Sequence, residues 1–574
     1  MGTVAEQMVA TLRASGVERV YGIPGDSLNG FTDALRKDGG IAWVHVRHEE
    51  AAAFAASAEA ATTGRLAVAA GSCGPGNLHL INGLYDAQRS RVPVLAIAAH
   101  IPTAEIGTGY FQETHPQDLF RECSVYAEYV AQPSQMPHVL EIAVRTAVER
   151  RGVAVVVIPG DVALAEAVTD RAVGIRATSP VVVPSAAELD RAAELLGGGR
   201  RVTVLAGAGC AGAHDEVVAL ADTLGAPVVH ALRGKEFIEY DNPCDVGMTG
   251  LLGFASGYRA MENAETLLML GTDFPYRQFY PAHARTIQVD LRGEQLGRRH
   301  PLDLGLVGSV RETVEALLPR LTRQTDRSHL DDARDHYRRT RAKLDELATP
   351  SKGGKPIHPQ YLARLIDEHA SDEAVFIPDV GSPVVWAARY LTMNGGRRLI
   401  GSFTHGSMAN ALSQGIGVQA AHPGRQVVAL AGDGGLTMLL GELITLTQNE
   451  LPVKVVVFNN SSLNFVELEM KAAGFVNYGT DLLNPDFAAV AQAMGIHARR
   501  VTRSEDLPDG VADLLAHDGP ALLDVVTERQ ELSMPPAITA EQVKGFTLYA
   551  LRTVMSGRGD QLIDLAKANL RQLF

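Results

Sequence analysis

Clusters of Lys or Arg are missing from this chain, and its formal charge of −14 argues against a nucleic-acid surface. Cysteine is scarce: Cys73, Cys123, Cys210 and Cys244 lie far apart and form no metal-ligand spacing. Such thiols fit a reducing compartment better than a disulfide framework. No run of about 18 apolar residues occurs, so no membrane-spanning helix is expected. Met1 to Ala14 mixes charge with apolar residues at helical spacing and lacks the apolar segment of a signal peptide, so cytosolic residence is expected. Short repeats are absent too. What the chain has is length, 574 residues, enough for about three to four domains that each bury a core. Its hydrophobic fraction of 46% and charged fraction of 21% are those of a globular enzyme.

Apolar strands alternate with amphipathic helices three times over. In the first block Ala42 to Val46, Ala67 to Ala70, Val92 to Ala99 and Val153 to Ile158 read as buried strands, with helices such as Glu49 to Ala61 between them. Ala177 to Ser185 reads as an extended linker, because each Pro disfavours helix just before it. A second block opens with the strand Val202 to Ala206 and ends near Leu318. Ser328 to Ala348 is charged and helical, and Thr349 to Pro356 breaks it. The third block runs to about Val526. The expected class is therefore α/β, with three doubly wound, Rossmann-like parallel-sheet domains.

In the third block, Gly432-Asp433-Gly434-Gly435 closes the apolar run Val427 to Ala431, and Asn459-Asn460 closes the run Val453 to Phe458. Two buried parallel strands would deliver a carboxylate and a carboxamide at their C-terminal ends, where open α/β sheets bind ligands. Glycines let a diphosphate approach the backbone, while Asp433 and Asn460 offer hard oxygens to Mg²⁺. A lone Gly-Asp-Gly is weak, since turns use the same residues. The pair, so spaced, resembles the signature of thiamine diphosphate enzymes. Upstream, Arg47-His48-Glu49-Glu50 opens an Ala-rich helix, where a Glu would also serve simply as a cap.

Together these motifs resemble the acetolactate synthase and pyruvate oxidase superfamily. The resemblance narrows to its flavin-containing pyruvate dehydrogenases that reduce quinone. It is carried by Gly25 to Asn29, Gly71 to Asn77, Phe111 to Pro116, His230 to Glu236, Gly247 to Leu251, Gly271 to Arg277, Asp379 to Gly381, Trp386 to Tyr390 and Ser556 to Asp560. It implies a pyrimidine-binding domain over 1–180, an FAD-binding domain over 181–345, a diphosphate and Mg²⁺ domain over 346–530 and a membrane-binding tail over 531–574. It also implies that Glu49, rather than Glu50, binds N1′ of the aminopyrimidine and supplies its proton. Val380, Gly381, His405, Gly406 and Ser407 would line the same cofactor with Asp433, Gly434, Gly435 and Asn460. Met408 would be the apolar wedge beneath it.

For FAD the resemblance implies Gly207, Gly209, Thr249, Gly250, Leu251, Leu252, Thr272, Asp273, Phe274, Pro275, Tyr276, Arg277 and Asp290. Asp273 stands where an uncharged Gln is expected, and an outward-facing side chain is the favoured reading. Phe111 and Gln112 match positions lining a pyruvate pocket. Phe465 and Val466 match a mobile segment, and Glu469 a second acid. Asn464 replaces an expected Gly, which puts the freedom of that segment in doubt.

The implied reaction is oxidative decarboxylation of pyruvate to acetate and CO₂, with electrons passing by way of FAD to a membrane quinone. An acetolactate synthase-type carboligase and an oxygen- and phosphate-dependent pyruvate oxidase are the alternatives. Leu562, Ile563, Ala566, Leu570 and Leu573 gather on one helical face of the tail, ahead of Phe574. That face either docks on the chain's own body or, as the resemblance implies, binds phospholipid after reduction. The protein would then be peripheral on the inner face of the cell membrane. Because Glu49 and Asp433 fall in different domains, and sites of the resembled family form across subunits, the resemblance implies at least a dimer, and a homotetramer is expected.

Overall fold

A computed structural model describes residues 2–176, 178, 180–199, 201–351, 355–529 and 531, with 544, 548–553, 562 and 565 beyond them. Three parallel six-stranded sheets follow one another along the chain. The first holds β1 (Arg19–Gly22), β2 (Ala42–His45), β3 (Ala67–Gly71), β4 (Val94–His100), β5 (Tyr126–Tyr129) and β6 (Val153–Pro159) in the order β2-β1-β3-β4-β6-β5. The second holds β7 (Val202–Ala206), β8 (Val228–His230), β9 (Asp245–Met248), β10 (Thr266–Leu270), β11 (Arg285–Asp290) and β12 (Leu304–Val307), ordered β12-β11-β10-β7-β8-β9. The third holds β13 (Val375–Pro378), β14 (Arg398–Leu399), β15 (Val427–Gly432), β16 (Lys454–Asn459), β17 (His497–Val501) and β18 (Ala521–Val526), ordered β14-β13-β15-β16-β18-β17.

The α/β class follows directly from these sheets. Central strands such as β4, β6, β7 and β10 are buried along their whole length, as sheets covered by helices on both faces require. Strand ends differ from the sequence expectation by a residue or two, as at β4 and β16, where ladder bonds extend past the apolar run. The charged helix spans Ser328–Leu347.

First and third sheets share one strand order, and one hydrophobic core runs through both units, from Tyr21 and Ala53 to Ile416 and Val455. The join is helix Glu49–Thr63 against helix Asn410–Ala421. Alanines line the first, and a Cβ on Gly417 would lie 2.0 Å from the Ala55 carbonyl oxygen. Backbones therefore touch where side chains would ordinarily intervene. Gly83, on helix Pro75–Ser90, is equally confined, its Cβ position 2.5 Å from Ala53 Cβ. Gly417→Ala should cost about 1–3 kcal/mol through overpacking, read as a lower midpoint of thermal unfolding. Gly424→Ala, at a position with open space around it, should change little.

Candidate active site

The third sheet reverses its winding between β13 and β15, so a crevice opens at their carboxyl ends. Asp379 follows β13 and Asp433 follows β15; both are buried. Asp433 Oδ2 accepts from the backbone N–H groups of Asn460 (3.1 Å) and Ser461 (2.6 Å) and from Asn484 Nδ2 (2.8 Å). Its Oδ1 accepts from the Gly434 N–H at 2.8 Å. Burial pushes this carboxyl above the usual range, while those hydrogen bonds pull against it. Asn460, the residue after β16, turns its Oδ1 to accept the Ser462 N–H at 3.0 Å. A carboxylate and a carboxamide so held fit Mg²⁺, which prefers hard oxygens.

Asp379 has another task. Its Oδ1 accepts from the Asn410 N–H at 3.1 Å and its Oδ2 from the Gly432 N–H at 3.4 Å, and burial raises it to about 7. A Cβ on Gly435 would stand 1.8 Å from Asp379 Oδ2, so glycine is obligatory there. Gly381 and Gly406 have φ of 131° and 82°, which glycine alone adopts without strain. These bare backbones leave room for a diphosphate, and thiamine diphosphate fits this cradle.

Glu49 opens the helix Glu49–Thr63, is 6% exposed, and its Oε2 lies 2.9 Å from His79 Nδ1. His48 caps the helix by accepting the Glu50 N–H on Nδ1. Its ring stacks on His79, centroids 4.2 Å apart. Asn82 bridges the two units: its Nδ2 donates to Glu50 Oε1 (2.8 Å) and Ser407 Oγ (2.9 Å), while its Oδ1 meets His405 Nε2 at 2.8 Å. Met408 Cε then reaches within 3.6 Å of a Cβ position on Gly434. From the other side Glu442 accepts the Arg47 N–H at 2.9 Å, its carboxyl raised by burial to about 7. The structure thus connects the Glu50 end of the helix to the 405–408 segment and, through Met408, to Gly434.

Phe111 is 76% exposed, and Gln112 beside it has φ of 63° and accepts from Cys73 Sγ at 3.3 Å. Helix Asn464–Ala472 carries Phe465, which packs half-buried on a cluster of third-unit residues that includes Phe376, Trp386 and Phe458, and Val466 and Glu469, both exposed. Asn464 is anchored by donating to the Arg529 carbonyl at 2.6 Å. That contact ties down the start of the segment where a glycine would be loose. Inside the same helix, fully buried Glu467 gathers Ser462 Oγ (2.6 Å), Lys471 Nζ (2.9 Å) and Arg529 (3.1 Å). Burial alone would raise this carboxyl, but Lys471, Ser462 and Arg529 together hold it below the usual range.

The second sheet has its own reversal, between β7 and β10. Gly207 and Gly209 follow β7; a Cβ on them would meet Thr272 Cβ at 2.5 Å and Gly271 Cα at 2.6 Å. The two loops therefore close on each other in the place where a dinucleotide lies in such sheets. Gly250 has φ of 98° and fronts the ring of Phe274, which itself packs edge-on against Tyr276. Leu251 is exposed and Leu252 half-buried, while Pro275, between the two aromatic residues, and Arg277, after them, are exposed. Thr249 Oγ1 is buried without any hydrogen-bond partner, the kind of orphaned group a ligand satisfies. Asp290, ending β11, is buried and raised by that burial, and accepts the Arg292 N–H at 2.9 Å. These features fit FAD. Asp273 does not simply face outward: only partly exposed, it pairs with Arg91 of the first unit at 2.9 Å.

Sequence reasoning missed His79, Asn82, Glu442, Glu467, Asn484 and Arg91. Each acts through a partner distant along the chain, so the available signal was a polar residue inside an otherwise apolar helix or at a strand end. In the tail, Ile563, Ala566, Leu570, Leu573 and Phe574 lie outside the described residues.

Three family models match the chain: the N-terminal thiamine pyrophosphate (TPP) binding domain of thiamine pyrophosphate enzymes over 2–119, their central domain over 189–317 and their C-terminal TPP binding domain over 379–525. The putative thiamine pyrophosphate-containing protein YdaP of Bacillus subtilis is 35% identical over 100% of this chain and 99% of its own. Pyruvate oxidase of Lactiplantibacillus plantarum is 30% identical over 90% of this chain and 87% of its own. The acetolactate synthase isozyme 2 large subunit of Escherichia coli is 30% identical over 92% and 96%. Asp433→Ala should weaken Mg²⁺ and thiamine diphosphate binding together, by on the order of 2–5 kcal/mol, while the gel-filtration profile stays that of the unaltered protein. A shifted profile would mean the variant has unfolded.

Proposed function

Because the chain belongs to the thiamine pyrophosphate enzymes, within the pyruvate oxidase and acetolactate synthase family, we propose that it is a pyruvate:quinone oxidoreductase. It would convert pyruvate to acetate and CO₂ and deliver the electrons by way of FAD to a membrane quinone. Thiamine diphosphate, when bound, supplies the electron sink for decarboxylation. Asp433 and Asn460 would hold its Mg²⁺. Glu49 holds or gives a proton at the carboxylate atom not engaged by His79, beside Gly76, whose Cβ position lies 3.1 Å from Oε1. Phe111 and Gln112 bound the substrate, and the buried helix face around Phe465 helps exclude water.

The observation that carries the quinone-linked reading is where the C-terminal segment sits. Residues 548–553 are helical and pack on the Phe465 helix: Lys471 Nζ lies 5.7 Å from the Tyr549 ring, and Arg552 donates to the Gly474 carbonyl at 2.6 Å. On the same helix Glu469 acts on Tyr276, whose hydroxyl is raised first by burial and then by that charge. One helix thus links the segment ahead of the apolar tail to the flavin crevice. Such a link would serve an enzyme that works as a homotetramer in the cytosol and becomes peripheral on the inner face of the membrane when reduced. Similarity to acetolactate synthase favours a second reading, carboligation with a second keto acid.

Anaerobic mixing of the protein with thiamine diphosphate, Mg²⁺ and pyruvate should bleach the flavin absorbance and yield acetate. Acetolactate without bleaching would establish the carboligase, and acetyl phosphate with peroxide in air the oxygen-linked oxidase. Glu49→Gln should slow exchange of the cofactor's C2 proton by about 10²–10⁴-fold, with Glu50→Gln doing far less. Removing residues after Gly559 should spare pyruvate-dependent dye reduction but abolish liposome flotation and stimulation by phospholipid. Equal flotation of both forms would place the membrane contact elsewhere.

A further inference from the structure

His48, Glu49 and His79 are brought together from two helices. His48 caps the helix Glu49–Thr63, Glu49 is its first residue, and His79 lies on the helix Pro75–Ser90. Each side chain offers one ligand atom, and the three atoms lie within 4.8 Å of one another. Among the described residues, no other three His, Cys, Asp or Glu side chains converge so closely. Two imidazole nitrogens and one carboxylate oxygen are the donor set of an open zinc site, whose fourth position is left to water or a ligand. Mg²⁺ is a poor match, because it prefers oxygen ligands alone.

Two of the three ligands already stand at nearly the required spacing. Glu49 Oε2 and His79 Nδ1 are 2.9 Å apart. An ion about 2.0–2.1 Å from each would bridge that gap with its two bonds near a right angle, in place of the proton that now joins them. Slight widening of the gap opens the angle toward the tetrahedral value. His79 can supply that movement, since its side chain is 43% exposed, whereas Glu49 is buried at the start of its helix. The exposed imidazole also gives an ion its way in from solvent. His48 is oriented by the Glu50 N–H, which donates to its Nδ1 at 3.2 Å, and by the His79 ring, centroids 4.2 Å apart.

We propose that His48, Glu49 and His79 bind one borderline divalent transition-metal ion of the Zn²⁺ class, and that this ion and thiamine diphosphate exclude each other. Glu49 cannot serve an ion and the aminopyrimidine at once, and a bound cation opposes a proton on the same carboxylate. The ion therefore inhibits by taking Glu49 out of the reaction, away from the Mg²⁺ ligands Asp433 and Asn460. Metal binding by the three side chains stands on their geometry alone. The competition also rests on the proposed role of Glu49.

Titrating Zn²⁺ into the full chain against a chromophoric chelator, in excess Mg²⁺ to occupy Asp433 and Asn460, tests this. Expected is one tightly held Zn²⁺ per chain. Co²⁺ in its place should show the strong visible absorption of a low-coordinate ion with nitrogen ligands. His79→Gln and Glu49→Gln should each weaken Zn²⁺ binding by about 100-fold or more, beyond what loss of a merely supporting group costs. Thermal unfolding reports whether each variant is folded, and the Co²⁺ spectrum needs no variant. Protein that carries thiamine diphosphate through gel filtration should take up no Zn²⁺. No Zn²⁺ held against the chelator, or uptake that both folded variants keep, would show only diffuse attraction to a chain of charge −14 and overturn the metal site. One Zn²⁺ lost in both variants yet indifferent to thiamine diphosphate would overturn the competition, and would count against the role of Glu49 rather than against the ligands.

Discussion

The close approach of helix Glu49–Thr63 to helix Asn410–Ala421 is the constraint on which the site depends. Gly417 has no room for a side chain against Ala55, and the facing helix answers with alanine at most of its positions. That contact merges first and third units into one core, so the residue opening one helix is fixed relative to the loop ahead of the other. Polar groups then lock the register: Asn82 to Ser407 and His405 on one side, Arg47 N–H to Glu442 on the other. A buried polar bridge of this kind specifies a single arrangement, because sliding the helices would strand its donors and acceptors in an apolar interface.

Parallel sheets supply the rest. All strands in a sheet point the same way, so every carboxyl end faces the same rim, and the rim is where backbone groups and short polar side chains are available. In the third sheet that rim carries Asp379, Asp433 and Asn460. In the second it carries Gly207, Gly271 and Asp290. The two rims differ in what they can hold. Asp433 sits in a net of donors suited to a charged oxygen beside a cation, whereas the Gly207 and Gly271 loops close tightly and leave Thr249 and Asp290 to meet hydroxyls.

The sheets, and the polar residues at their strand ends, were legible in the sequence because they depend on local signals. Buried strands read as apolar runs, and a Gly, Asp or Asn at the end of such a run announces the rim. Glu49 stood out only through the Arg-His-Glu pattern, since a Glu at a helix start is also an ordinary cap. What stayed hidden was pairing across the fold. Nothing near Asn82 says that it meets both Glu50 and Ser407, and nothing near Glu467 says that Arg529, far along the chain, neutralises it. In the sequence Asp273 stands as an isolated charge, because its partner Arg91 belongs to another unit.

That pairing changes what Asp273 means for the crevice. An unpaired carboxylate there would add a negative charge near Asp290 and oppose any ligand that becomes anionic. With Arg91 at 2.9 Å the pair is neutral overall, so the local field returns toward that of an uncharged amide. The pair also ties the loop following β10 to the first unit, while Arg233, half-buried in the second, donates to the Ser90 carbonyl at 3.0 Å. Both ties end at Ser90 and Arg91, where helix Pro75–Ser90 stops. The same helix carries Asn82 and His79 toward its other end. One rigid element therefore sets both the surroundings of Glu49 and the position of the Asp273 loop. A shift of this helix could not alter one without moving the other.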